Sequence, residues 1–314
     1  HAVKSVINQT LNKGLYEIIV VKNFRDPEVD MLIERNHGKT IHMDVRSISA
    51  KFIKGIEESE GEVITFLEDD DVYYSSKLER IYKVFSEDKN LDYYHHNVIP
   101  IDRNGNILNI NVPNVYDRVL IKNLSDRIYT IKKYGFQIGF KMSTISISRE
   151  LAIEYVRRIL PYAFYSPDLI IFALALRYGR ELLHEPYGLT FYRVHGTNVS
   201  ILNNISRDNL NNLIRVKIAQ LAESNLILKI LNFNDDIENT SRKIINIDPT
   251  SYDTLLIIMT GLKYYIIRRS IMSLLSSIIK VVSINRAIVS LLGITYLINP
   301  YIGRRLLYRK IFKT

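Results

Sequence analysis

Four consecutive acids, Glu68, Asp69, Asp70 and Asp71, close an apolar run in "ITFLEDDDVYYSSKLE", residues 64–79. Like charges gathered at the end of a buried strand repel one another and lose solvation, so the cluster needs a compensating partner. A divalent cation would be one, and donors that are all oxygen select a hard ion, Mg²⁺ or Mn²⁺. Such an ion is usually held by one or two carboxylates and completes its shell with water and substrate phosphates, so the acids imply a phosphate-bearing ligand. The plainer alternative is a solvated acidic turn leading into the next helix, since acids are favoured at helix N-termini. One further stretch could carry chemistry: "YRVHGTNVS" (192–200) sets Arg193 and His195 at alternate positions on one strand face. In "SPDLIIFALALRYG" (166–179), Asp168 reads by itself as a helix N-terminal acid after Ser166 and Pro167. His95, His96 and His184 read as structural residues.

The elements that must position these groups follow from periodicity. Apolar residues at Ala2, Val3, Val6 and Ile7 have helical spacing, and "NKG" stops that helix. "YEIIVV" (16–21) and "GEVITFL" (61–67) are short apolar runs of strand type with a helical stretch, 47–60, between them. Strand, helix, strand predicts a parallel α/β sheet with right-handed crossovers. "LDYYHHNVIPI" (91–101) is a further strand ending in the turn "DRNGN", "STISIS" (143–148) is a strand running into a helix, and 167–179 is a helix opened by Pro167 and stopped by Gly179. Ligands of open α/β sheets sit at the carboxyl ends of the strands, which is where the four acids fall.

Taken in order, "SVINQTLNKGLYEIIVVKN", "GIEESEGEVITFLEDDDVYYSSKLE", "NVIPIDRNGN", "SISREL", "SPDLIIFALALRYG" and "FYRVHGTNVS" resemble a family 2 glycosyltransferase of the GT-A fold over residues 1–200. The resemblance implies a mixed, mostly parallel Rossmann-like sheet flanked by helices, and inverting transfer of a sugar from a nucleotide-diphosphate donor. It places the family's Asp-x-Asp motif on Glu68 and Asp70, with Asp69 and Asp71 beside them. Glu68 and Asp69 are then expected at the donor, and Asp70, Asp71 and His195 at the metal. Asp168 is the expected base, and Arg193 the expected partner of diphosphate oxygens. The loop that carries acids for the nucleotide base in the family reads "VKNFRD" (21–26), with Lys22 and Asn23 in their place, so Asn23 is the candidate there. Arg46 and Lys51 are the nearby bases that could serve the diphosphate. His1 falls inside the family's first helix, so the family's first strand, with its nucleotide loop, is expected from an upstream segment.

Charge divides the chain. The 314 residues carry a net charge of +9, and residues 253–314 alone hold ten basic groups against one acid, so residues 1–252 are neutral. Those bases are interleaved with Ile and Leu, which argues against nucleic acid and for amphipathic helices lying on an anionic membrane surface. The longest uncharged run, 287–303, contains Pro300 and is short of the about 20 apolar residues of a spanning helix. The other reading of the tail is a helical subdomain packed on the protein or on another subunit. There are no cysteines, which excludes disulfides and thiolate metal sites.

The expected organisation is a GT-A catalytic domain over 1–205, a helical connector over 206–252 and a basic amphipathic tail over 253–314. The expected function is metal-dependent sugar transfer to a glycan or polyprenyl-linked acceptor at the cytoplasmic face of a membrane, with oligomerisation open to the tail. A catalytically silent, membrane-associated binding protein on the same fold is the alternative.

Overall fold

The computed structural model of the chain describes residues 1–163 and 166–194, together with Glu223, Leu226, Ile227, Ile230 and Leu231. The chain divides into two units, His1–Asn246 and Ile247–Thr314, and every described residue lies in the first. His195, most of the connector and the whole basic tail lie outside the described residues.

In chain order the first half contains α1 (Ala2–Ile7), β1 (Ile19–Lys22), α2 (Pro27–Arg35), β2 (Lys39–His42), α3 (Ile48–Glu58), β3 (Val63–Thr65), β4 (Val72–Tyr73), α4 (Lys77–Glu87) and β5 (Leu91–Ile101). The second half contains β6 (Val119–Ile121), α5 (Leu124–Tyr134), β7 (Ile145–Ser148), α6 (Arg149–Leu151), α7 (Arg157–Ile159), α8 (Pro167–Tyr178) and β8 (Glu181–Arg193). Local chemistry sets the starts. Asp26 accepts from Val29 N with Pro27 in the first turn of α2, Ser47 accepts from Ala50 N ahead of α3, and Asn123 and Asp126 form a reciprocal capping box on α5.

The strands form two sheets: β1–β2, which is parallel, and a six-stranded sheet in the order β3-β7-β5-β8-β4, with β6 also on β8. The expectation of mostly parallel pairing needs correction in detail. β3, β5 and β8 do run in one direction, but β7 lies antiparallel between β3 and β5, and β4 and β6 are antiparallel to β8. The reason is that β7 enters at the rim where β3 and β5 end, with Ile145 opposite His95 and Ser148 opposite Val63, so it runs against both. Carboxyl ends of β3, β5 and β8 therefore still meet on one rim, with the start of β7 among them.

Successive residues of β5 face opposite layers, as strand geometry requires. Tyr93 packs in the larger core with α8, and Tyr94 in the smaller one with Leu78, Ile81, Val84 and Phe85 of α4. α8 is apolar all round, with Ile170 to Leu176 buried without a break, so it is an internal helix and not a surface one. Each of its large side chains contributes about 1.5–3 kcal/mol by burial. Glu223, Leu226, Ile227 and Ile230 are helical and buried, the last three within that same core, at the spacing of one helix face. Between the layers, His95 and His184 stand opposite each other on β5 and β8 with Nδ1 to Nδ1 at 2.8 Å. His95 Nε2 faces Phe140 O at 3.1 Å and His184 Nε2 faces Val115 O at 2.9 Å.

Candidate functional site

The acidic run forms a turn just past β3, closed by Asp71 N donating to Glu68 O. Two anchors hold it. Ser143 Oγ accepts from Glu68 N at 3.0 Å, fixing the turn to the start of β7. Arg193, the last residue of β8, ties down the other end: its N–H donates to Asp71 Oδ1 at 3.0 Å and its Nε to Asp70 O at 2.9 Å. The same guanidinium donates through Nη1 to Asp102 O and Arg103 O, at 2.9 and 2.8 Å, in the turn after β5. One side chain thus fastens the ends of three neighbouring segments.

Arg193 was expected to pair with phosphate oxygens; its guanidinium donates to the carbonyls of Asp70, Asp102 and Arg103, which helps to position the acidic turn. Arg193→Met is accordingly expected to destabilise the protein by about 2 kcal/mol, because carbonyls lose charged donors. Urea unfolding measures this, and Arg193→Lys should recover only part of it, lacking the fork. Unchanged stability in both variants would return Arg193 to the phosphate-binding role.

Asp71 is fully buried, and its Oδ2 accepts no hydrogen bond from the described residues. Burial pushes its carboxyl pKa up, against the pull of Lys141 and Ser143. Glu68 is pushed further, to about 7, by burial first, with Lys141 pulling down and Asp71, Asp168 and Asp70 adding repulsion. Asp168, at the start of α8, is raised by burial to about 6 although the backbone N–H groups of Leu169 and Lys141 stabilise its charge. Carboxyls raised in one cluster are a mark of functional sites. Asp69 is exposed at the tip of the turn and Asp70 half-buried.

Lys141, which the sequence reading passed over, joins these groups. Its N–H donates to Asp168 Oδ2 at 3.0 Å, and its ammonium stands 3.3 Å from Glu68 Oε2 and 4.2 Å from the centre of the Tyr192 ring. Burial pulls that ammonium down, but Glu68 and Asp71 outweigh it and hold the pKa above the ordinary lysine range. The backbone at Lys141 has φ 75°, in the region that favours glycine. A side chain kept there costs roughly 1–3 kcal/mol, which persists only where the surroundings compel it. The preceding chain reaches this place because residue 139 is glycine: a Cβ there would meet Phe172 Cβ of α8 at 2.7 Å. No local signal in "GFKMST" announces this lysine, since its importance arises from the approach of α8.

Beneath the turn, Lys77 is fully buried, donating to Ser143 O and to Thr190 Oγ1, with its ammonium 3.5 Å from the Tyr73 ring centre. Burial depresses its pKa well below the usual value against the attraction of Asp71. On the separate sheet, Lys51 Nζ donates to Asn23 Oδ1 at 2.9 Å, so these two candidates meet; Arg46 is exposed in the loop before α3. Among the described residues no hydrogen bond or ion pair joins Asn23, Arg46 or Lys51 to the acidic turn. Lys22, beside Asn23, is turned inward and paired with Asp30 at 2.5 Å.

Among the described residues no three His, Asp or Glu side chains converge as a ready-made metal cage. The donor set nevertheless suits a hard cation. Asp71 Oδ2 is a buried oxygen without a donor, Asp70 and Glu68 supply further carboxylates, and such an ion needs only one or two of them.

Residues 1–155 match the family model described as Glycosyl transferase family 2. Among solved structures, S. aureus TarS 1–349 in complex with UDP-GlcNAc has the same fold: TM-score 0.51 at 13% identity, covering 83% of this chain and 74% of that one. The same protein in complex with UDP gives TM-score 0.50 at 13% identity, covering 83% and 75%. No curated protein matches the sequence. The protein is thus a glycosyltransferase of GT-A architecture, with its acids on the rim where that fold gathers strand ends.

Proposed function

We propose that the protein is a metal-dependent, inverting glycosyltransferase that moves a sugar from a nucleotide-diphosphate donor to a glycan or lipid-linked acceptor at a membrane face. The observation that carries this is the placing of Glu68, Asp71 and Asp168 around Lys141, three carboxyls of raised pKa, with Asp168 on α8 standing apart from the two on the acidic turn. Asp168 serves as base. With a pKa of about 6 it is ionised at neutral pH yet more basic than an ordinary aspartate, so it can take the proton of the acceptor hydroxyl. As that proton moves to Asp168, the acceptor oxygen bonds to the anomeric carbon, and the bond to the diphosphate oxygen breaks with its electron pair leaving on the diphosphate. Asp70, Asp71 and Glu68 would hold the cation, which when bound supplies positive charge to the leaving diphosphate. His195 remains a proposed further ligand.

The TarS complexes with UDP and UDP-GlcNAc support uridine nucleotide sugars as the first donors to try. The test is hydrolysis and transfer across a panel of nucleotide sugars with Mn²⁺ or Mg²⁺, repeated with chelator. Metal-dependent release of the nucleoside diphosphate from at least one donor is expected. A catalytically silent, glycan-binding reading draws on the altered loop, where Lys22 is buried in an ion pair and Asn23 is bound by Lys51. Sugar binding without turnover of any donor would favour it.

The membrane part rests on sequence. No helix among the described residues is long and apolar enough to cross a membrane. The ten bases of the tail, at about 1 kcal/mol each near an anionic surface, are enough for peripheral recruitment if half of them engage. The full chain is expected to sediment with phosphatidylserine vesicles at low salt and to do so less, without losing binding, as salt is raised. Indifference to the vesicles at low salt would overturn this.

A further inference from the structure

Lys141 is placed where a side chain is strained and glycine would not be, yet it presents its ammonium to the middle of the carboxylate cluster. Its side chain is only 13% exposed, and its partner Glu68 only 21%, so their interaction is weakly screened. On this geometry we infer that Lys141 is a resident counter-ion of the site: its ammonium competes with a divalent cation for Glu68 and Asp71, so the Glu68–Lys141 ion pair and metal loading exclude each other. The inference rests on the reading that this site takes such a cation.

Three observations carry it. The ammonium of Lys141 is ion-paired with Glu68 Oε2, so a metal drawing on that oxygen competes with it. Asp71 Oδ2 is buried and has no donor, so it offers an entering ion an oxygen that Lys141 attracts only at longer range. The backbone N–H of Lys141 is already used on Asp168, which leaves the residue anchored while its side chain moves. The donor's diphosphate brings the negative charge that can receive the displaced ammonium, so cation and donor binding reinforce each other.

The experiment titrates Mn²⁺ alone into wild type, Lys141→Gly and Lys141→Arg, with the free ion read from its electron paramagnetic resonance signal. Glycine suits the backbone and keeps the N–H that holds Asp168, so Lys141→Gly should melt at or above the wild-type temperature. It is expected to bind Mn²⁺ about tenfold or more tightly, because a unit charge a few ångströms away at an effective dielectric of about 20 is worth at least that. Lys141→Arg should bind like wild type. Equal or weaker Mn²⁺ binding by Lys141→Gly overturns the inference, as does failure of every form to bind. Transfer from a sugar nucleotide by wild type in that last case would leave the glycosyltransferase reading standing. Tighter binding by Lys141→Gly without turnover of any donor by wild type would leave the counter-ion and sink that reading.

Discussion

Asp168→Asn should reduce transfer by about 10³-fold while leaving donor affinity intact, as expected for removal of a general base. The amide keeps the shape and an oxygen for the Lys141 N–H, and removes the basicity together with the charge. In the wild type the rate should climb with pH through about 6, as Asp168 loses its proton, and then level off; the variant should lack that limb. Stability should move the other way. The folded pKa of Asp168 is raised from 3.8 to about 6, so the folded state holds the proton more tightly than the unfolded one. Its burden on stability is absent below the unfolded value, grows as pH rises between the two values, and is full above the folded one. Removing it should make the variant more stable by about 1–3 kcal/mol at neutral pH, read by urea unfolding at pH 5 and pH 8. Lost donor affinity with unchanged turnover would contradict the assignment.

Asp70→Ala should lower metal-dependent transfer by about 10²-fold or more, and chelation should do the same to wild type. The fold should survive, because the Asp70 carbonyl through which Arg193 Nε fastens the turn is kept in the variant. Asp71 differs: its Oδ1 is the acceptor for Arg193 N, so Asp71→Ala should lose stability as well as activity. Activity and melting temperature measured on both variants separate metal ligand from anchor. Wild-type turnover in Asp70→Ala, or in chelated wild type, would end the metal assignment.

Much of the frame is legible in residue order because the signals are long and local. "LDYYHHNVIPI" is β5 to the residue, and the Pro167 and Gly179 boundaries of α8 fall where their backbone constraints put them. The short pieces β2, β4 and β6 leave no such signal; each is a few residues whose pairing is fixed by neighbours far along the chain. The position of β7 between β3 and β5 is likewise a matter of which edges are available, not of composition. In the site, acids are conspicuous because clustering them is costly, so Glu68 to Asp71 stand out, whereas Asp168, a lone acid at a helix start, is marked only by the family resemblance. A single lysine does not, and Lys141 gains its role from a positive φ and from the packing of Gly139 on Phe172. Arg193 was visible as a base at the right strand end, but nothing in sequence tells a phosphate from a carbonyl as its partner.

The histidine pair at the centre of the sheet has one proton too few. Three contacts run in a line, from Phe140 O through His95 and His184 to Val115 O, and two neutral imidazoles own only two N–H hydrogens between them. A third would fill every gap but leave a buried cation, which burial opposes at both rings. One contact must therefore go without hydrogen. Neither terminal carbonyl is orphaned by this, since Thr144 Oγ1 also donates to Phe140 O and Asn97 Nδ2 to Val115 O. The two tautomeric settings that keep a hydrogen between the rings have opposite dipoles, so the strand centre can hold either polarity at one residue's remove from Lys141.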